Sequence, residues 1–287
     1  CTYSCVYCQL GKAIEMAAQR RSFYEPDELI EETGRKVEQA RSRGDQIDYL
    51  TIVPDGEPTL DGRLGELIVG LRSYGIKTAL ISNGSLLGDP QLREELLGLD
   101  WISVKVDSVD EAVWRKTDRP HKSLAFGRML AGTLTLAESF EGTFTTETML
   151  IRGLNDTPKQ IDEVAEMLEA LEPAKAYISI PTRPPAESWV EPADEERIAY
   201  AYGRFRSVVP HVENLIGYEG NEFTASGDAR DDLLSITAVH PMRRDAVEAL
   251  LEKDGADASV LEELLRSGDL KEVAYSGYRY YVRGFRK

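Results

Sequence analysis

Cys1-Thr2-Tyr3-Ser4-Cys5-Val6-Tyr7-Cys8 opens the chain and holds all three of its cysteines. The spacing is C-x3-C-x2-C, with Tyr3 and Tyr7 set between the thiols. Three thiolates on one short loop can each hold one iron of a cubane 4Fe–4S cluster, and the fourth iron is then left without a protein ligand. An open metal position is where chemistry takes place, whereas a closed one is structural. Other uses of these cysteines fit less well. A structural zinc site takes four protein ligands, and the three histidines, His121, His211 and His240, all lie far from the loop. An odd number of cysteines in a chain of 287 residues argues against a disulfide framework.

On Cys1, Cys5 and Cys8 the chain resembles the radical S-adenosylmethionine (radical SAM) superfamily. The run Cys8-Gln9-Leu10-Gly11 further resembles a branch of Fe–S oxidoreductases related to the tRNA-modifying wyosine synthases. The resemblance implies a 4Fe–4S cluster held by those three cysteines, with SAM chelating the fourth iron through its amino-acid end. It also implies reductive cleavage of SAM, hydrogen abstraction from a substrate, and a partial (β/α)6 TIM-like barrel.

Composition sets wide bounds. Hydrophobic residues make up 42% and charged residues 29% of the chain, as in ordinary globular domains. No run of about 18 apolar residues predicts a membrane helix, and no secretory signal is visible. An iron–sulfur loop without further cysteines fits a reducing, cytoplasmic setting. The formal charge of −16 disfavours a phosphate backbone, DNA above all, as partner; its plain reading is solubility. A cluster ligand as the literal first residue is unusual, because termini fray. The expectation is a longer parent chain whose first barrel strand precedes the loop and is truncated here.

Along the chain, a helical stripe begins at Pro26 and ends near Arg43-Gly44. From Asp48 onward six apolar, β-rich runs alternate with helical ones, ending at Val53, Ser82, Asp107, Ile151, Ile180 and Tyr218. This is an α/β pattern of βαβ units around a parallel sheet. Ligands then belong at the carboxyl ends of the strands. The tail changes character: helices at Ala246–Leu251 and Val260–Leu265, then a hairpin turning at Ser276-Gly277, resemble a winged-helix module. The expected division is a radical SAM core barrel over 1–226 and a winged-helix-like C-terminal module over 227–287.

The strand ends supply the candidate SAM contacts. Gly56-Glu57-Pro58 follows the first strand; it is a weak turn motif by itself, but matches the family's Gly-Gly-Glu segment, which holds the SAM amino group, with Asp55 in place of the first Gly. Ser82-Asn83-Gly84 ends the next strand, either as a turn or, by the resemblance, with Ser82 or Asn83 facing SAM. Lys105 and Asp107 share a face by the period of two. A lysine there is costly to bury unpaired, so it either pairs with Asp107 or a neighbouring carboxylate, or binds the SAM carboxylate. Leu150 to Asp156 resembles the family's adenine-contact segment, with Ile151 and Gly153 matching, Met149 replacing its leading Gly and Asp156 its closing Glu. Asn155-Asp156-Thr157-Pro158 reads equally as a helix start. Arg183, in the stiff Thr182-Arg183-Pro184-Pro185 loop, suits a carboxylate or phosphate or is a surface residue. Glu219 to Glu222 could face the substrate, and Arg119-Pro120-His121 could reach the mouth. The tail carries Arg279, Arg283, Arg286 and Lys287, but Glu262 and Glu263 would repel DNA, so it reads as a docking module.

The expected substrate is a small molecule, a protein residue or a tRNA base, and an external electron donor such as flavodoxin or ferredoxin is implied. The alternative is a non-catalytic iron–sulfur electron-transfer or sensor protein whose tail binds a partner. A nucleic-acid binder acting through the tail is a third possibility, opposed by the acidic balance.

Overall fold

Short apolar runs between polar breaks become strands, and the longer amphipathic runs become the helices that cover them. The computed structural model describes residues 1–217, 220, 221, 223 and 225–284. Its first part runs α1 (Pro26–Arg43), β1 (Tyr49–Ile52), α2 (Leu64–Leu71), β2 (Lys77–Ser82), α3 (Pro90–Leu96), β3 (Trp101–Lys105), α4 (Glu111–Thr117), α5 (Phe126–Ser139), β4 (Thr143–Met149), α6 (Pro158–Leu171), β5 (Lys175–Ser179), α7 (Glu195–Arg206) and β6 (Val212–Leu215). The six strands lie side by side in chain order, and every neighbouring pair is parallel. Parallel neighbours need crossovers, which the helices provide. An order that never reverses winds like a barrel rather than like a doubly wound sheet. Among the described residues β1 and β6 do not pair, so the barrel is partial and open. A cleft of about 660 Å³ lies beside β1, between it and residues of α1 and α2, and reaches Cys1 and Gly56.

Local signals explain where the elements stop. Pro26 opens α1, Asp27 and Glu28 sit in its first turn, and Arg41 and Arg43 in its last. Gly44 takes the left-handed conformation (φ 82°) that closes the helix, its N–H reaching back to Ala40 and Arg41. Thr157 and Gln160 cap α6 reciprocally, so the helix-start reading of this segment holds. On β3, Ile102 and Val104 join the core together with Leu80, Leu136, Ile178 and Phe205. The opposite face carries Ser103 and Lys105.

The second part contains α8 (Ala229–Val239), β7 (Met242–Arg243), α9 (Arg244–Lys253), α10 (Ser259–Ser267), β8 (Leu270–Tyr275) and β9 (Tyr278–Arg283). Its sheet is antiparallel, in the order β7-β9-β8. Ser276 and Gly277 both have positive φ, as a tight hairpin turn requires. The helices and hairpin surround a separate apolar core that includes Leu233, Val247, Leu250 and Leu264, in a winged-helix-like form. Sequence reading passed over α8 because its Arg230, Asp231 and Asp232 look like a linker's charge run; Leu233 nonetheless packs wholly inside. The sixth strand stops at Leu215, short of the expected Tyr218, which lies outside the described residues. No helix of the described residues is long and apolar enough to cross a membrane.

Candidate functional site

The cysteine loop is held by the residues between its thiols. Tyr3 and Val6 are buried. The Tyr3 hydroxyl donates to Met129 sulfur at 2.9 Å and accepts from the Trp114 indole at 3.0 Å, and the two rings meet edge to face. Val6 packs with Ile151 and Val190. Backbone bonds tie the loop to the segment after α4: Ser4 N–H to Asp118 O at 3.1 Å, Val6 N–H to Thr117 O at 2.9 Å, and His121 N–H to Thr2 O at 2.8 Å. This places Arg119-Pro120-His121 beside the loop through its backbone, whereas the His121 ring turns to Ser123. Cys1, Cys5 and Cys8 are partly exposed and unbridged. The Cys5 thiol faces inward, donating to Asp118 Oδ1 at 3.4 Å. Burial pushes this thiol well up, with Asp118 and Cys8 adding to the effect, and burial also raises Cys8.

Beneath the loop lies a charged floor. Lys105 Nζ is 3.2 Å from Glu147 Oε1 and 3.5 Å from Asp107 Oδ1, and sits over the Tyr7 ring at 5.1 Å. The ion-pair reading of Lys105 is therefore what the geometry shows, with Glu147 as the neighbouring carboxylate; parallel register sets these two residues side by side. Burial pulls the Lys105 ammonium down, but Asp107 and Glu147 outweigh it and keep the pKa above the ordinary lysine range. Asp107 also accepts from the Tyr7 hydroxyl and from the Met149 N–H. Asp118 accepts from Tyr7 at 3.2 Å; burial and then Asp107 raise it well above the usual carboxylate range. Asn83, Lys105, Asp107 and Asp118 meet around a cavity of about 20 Å³, room for about one water.

Glu57 is engaged within the chain. Its carboxylate accepts from Thr59 N–H and hydroxyl, from Ser82 Oγ at 2.7 Å and from Asn83 N–H at 2.8 Å. Both oxygens are thus engaged in joining the end of β1 to the end of β2. Gly56 lies against the cysteine loop: a Cβ there would stand 3.5 Å from the Cys1 nitrogen. Ser82 serves the same latch. Asn83 reaches the loop itself, donating to Thr2 Oγ1 at 2.8 Å with Cys1 Sγ at 3.9 Å.

Ile151 and Arg183 are both engaged within the chain. Ile151 is fully buried, under Val6 rather than in an open site. Arg183 donates to Gln9 Oε1 at 2.7 Å and meets His240 Nε2 at 2.5 Å, so it joins the loop to the C-terminal module. Of the tail cations, Arg279 pairs with Glu272 and Arg283 with the Leu234 carbonyl; Arg286 and Lys287, like Glu219 and Glu222, lie outside the described residues. Sequence reading missed Thr2, Tyr7, Asp118 and Glu147 as site residues. Glu147 carried a signal, a carboxylate in the middle of a Thr-rich strand. Asp118 carried none, because its place depends on how the segment after α4 folds back.

The Radical SAM superfamily model matches residues 1–171. The chain belongs to the Radical SAM superfamily. It is 36% identical to UPF0026 protein MJ1312 of Methanocaldococcus jannaschii over 288 residues, covering all of this chain and 89% of that protein. To a UPF0026 protein of Helicobacter pylori it is 32% identical over 186 residues, 64% of this chain and 59% of that protein. A radical SAM methyltransferase from Sphaerobacter thermophilus shares the fold, with TM-score 0.57 and 16% identity over 75% of this chain and 63% of the other.

Membership makes this a radical SAM enzyme by family and implies SAM and an iron–sulfur cluster as its cofactors. The donor set fits such a cluster. Soft thiolates, one per iron, are the ligands an iron–sulfur cluster takes, and all three thiols of the loop are unbridged.

Proposed function

We propose that Cys1, Cys5 and Cys8 hold a 4Fe–4S cluster with one open iron, and that the chain uses it to cleave SAM reductively and abstract hydrogen from a substrate at the barrel mouth. The observation that carries this reading is the loop itself: three thiols at C-x3-C-x2-C spacing, anchored beside the strand ends. The bound cluster would supply the electron that splits a sulfur–carbon bond of SAM. The chain's own residues position and insulate. Tyr3, Trp114 and Met129 fix the loop's inner side and exclude water. Lys105 pairs with the carboxylates of both Asp107 and Glu147, so each of these acids under the loop has a cation beside it. Glu57 holds two strand ends together, and Asn83 ties them to Thr2. Candidate SAM contacts are the backbone of Gly56 and Glu57, Asn83, and the Lys105–Asp107 pair.

The charge of −16 favours a small molecule or a protein residue as substrate, whereas the wyosine-like run at Cys8 keeps a tRNA base in view. An external carrier such as flavodoxin or ferredoxin would deliver the electron, in the cytoplasm. Anaerobically reconstituted protein given reductant and SAM should form 5′-deoxyadenosine, and Cys5→Ala should lose both the cluster's visible absorption and turnover. Turnover unchanged in Cys5→Ala would sink the reading. A cluster spectrum indifferent to SAM would instead point to an electron carrier or sensor.

A further inference from the structure

The cysteine loop is tied both to the barrel and to the C-terminal module. Its backbone pairs with residues 117–121 of the barrel. Towards the C-terminal module the loop is tied through the side chain of Gln9, which follows Cys8 directly. Gln9 Nε2 donates to the Val239 carbonyl at the end of α8 at 2.9 Å. Gln9 Oε1 accepts from Arg183 at 2.7 Å, and Arg183 meets His240, the residue after Val239. Both ends of one amide are thus in use, one towards the C-terminal module and one towards the loop after β5. The same contact continues through the hairpin: Tyr275 donates to the Pro181 carbonyl at 2.8 Å and Tyr280 to the Thr182 carbonyl at 3.0 Å.

We infer that Gln9 is a positioning residue through which the C-terminal module holds the cysteine loop in its cluster-bearing shape, so that module docking and cluster loading are linked. The inference rests on the reading that Cys1, Cys5 and Cys8 carry the cluster. The chemistry of the tie requires an amide. A leucine in its place loses donor and acceptor together. A glutamate keeps the acceptor for Arg183 but turns a carboxylate towards the Val239 carbonyl. Linkage is reciprocal: if the docked module favours the loaded loop, loading must favour the docked module by the same factor.

Gln9→Leu, Gln9→Glu and the wild type would be reconstituted anaerobically, and iron and sulfide per chain measured. The rate at which an iron chelator strips the cluster would follow, with circular dichroism and thermal melting confirming the fold. Gln9→Leu should lose iron about tenfold faster than wild type, the scale of one to two hydrogen bonds. Gln9→Glu should fall between. In the wild type, hydrogen exchange at residues 234–241 and 273–282 should slow when the cluster is loaded, a readout that needs no variant. Equal stripping rates in well-folded variants, or exchange in the module that ignores loading, would overturn the inference while leaving the cluster in place. A wild type that takes up no iron would overturn the cluster reading and this inference with it.

Discussion

Glu57 shows how a single residue in this site can be used for structure. Its carboxylate is buried yet accepts four hydrogen bonds. Desolvation wins over those bonds and raises its pKa above the usual carboxylate value. A buried acid with a raised pKa binds its proton more tightly in the folded than in the unfolded state. Stability should therefore fall as pH rises from the unfolded value, about 4.3, through the higher folded one. Glu57→Gln removes that slope, but turns an NH2 group on one of the donors that the carboxylate now satisfies. The variant should lose about 1–3 kcal/mol at neutral pH and flatten the acid limb, both read from urea midpoints of the cluster-free protein. An unchanged acid limb would show that Glu57 does not titrate there. Lys105 behaves in the opposite sense: its raised pKa means its contribution is complete below the ordinary lysine value and is lost only as pH rises through the higher folded one. Lys105→Met should accordingly destabilise the protein across the neutral range by about 3–5 kcal/mol, since it leaves the buried Asp107 and the partly buried Glu147 without their cation.

At the scale of elements, the site depends on close approach between helices and strand-end loops. Gly132, within α5, lies against the loop after β2: an added Cβ would stand 2.1 Å from the Leu87 carbonyl oxygen, which is backbone and cannot swing away. Gly132→Ala should push α5 off this loop and cost about 1–3 kcal/mol, the usual penalty of overpacking. Differential scanning calorimetry would register it as a lower melting temperature. Because the same loop carries Asn83 and Ser85, both bonded to Thr2, the shift should also loosen the start of the cysteine loop. An ordinary helix-interior Gly→Ala change would be stabilising, so a raised melting temperature would refute the packing argument.

For the whole molecule, a net charge of −16 on 287 residues means self-repulsion that salt can screen. Melting temperature near neutral pH should rise as sodium chloride is added to low-salt buffer; a flat response would mean that the exposed ion pairs already balance the surface. Much of the architecture was legible along the chain. Apolar runs broken by Gly, Pro and Asn located the six strands, Pro26 and Gly44 bracketed α1, and three thiols in one octapeptide located the candidate cluster site, because each of these signals is local. The sequence by itself determined the alternation of strands and helices that makes a parallel sheet, and the face shared by Lys105 and Asp107, since side chains alternate along a strand. Only the tertiary structure decided which partners those residues meet. Asp118 reaches Cys5 from a distant segment, Glu147 reaches Lys105 through strand register, Arg183 turns to Gln9 and His240, and Glu57 takes its donors from two strand ends. Burial and hydrogen-bond satisfaction are properties of the assembled neighbourhood, and no spacing along the chain encodes them.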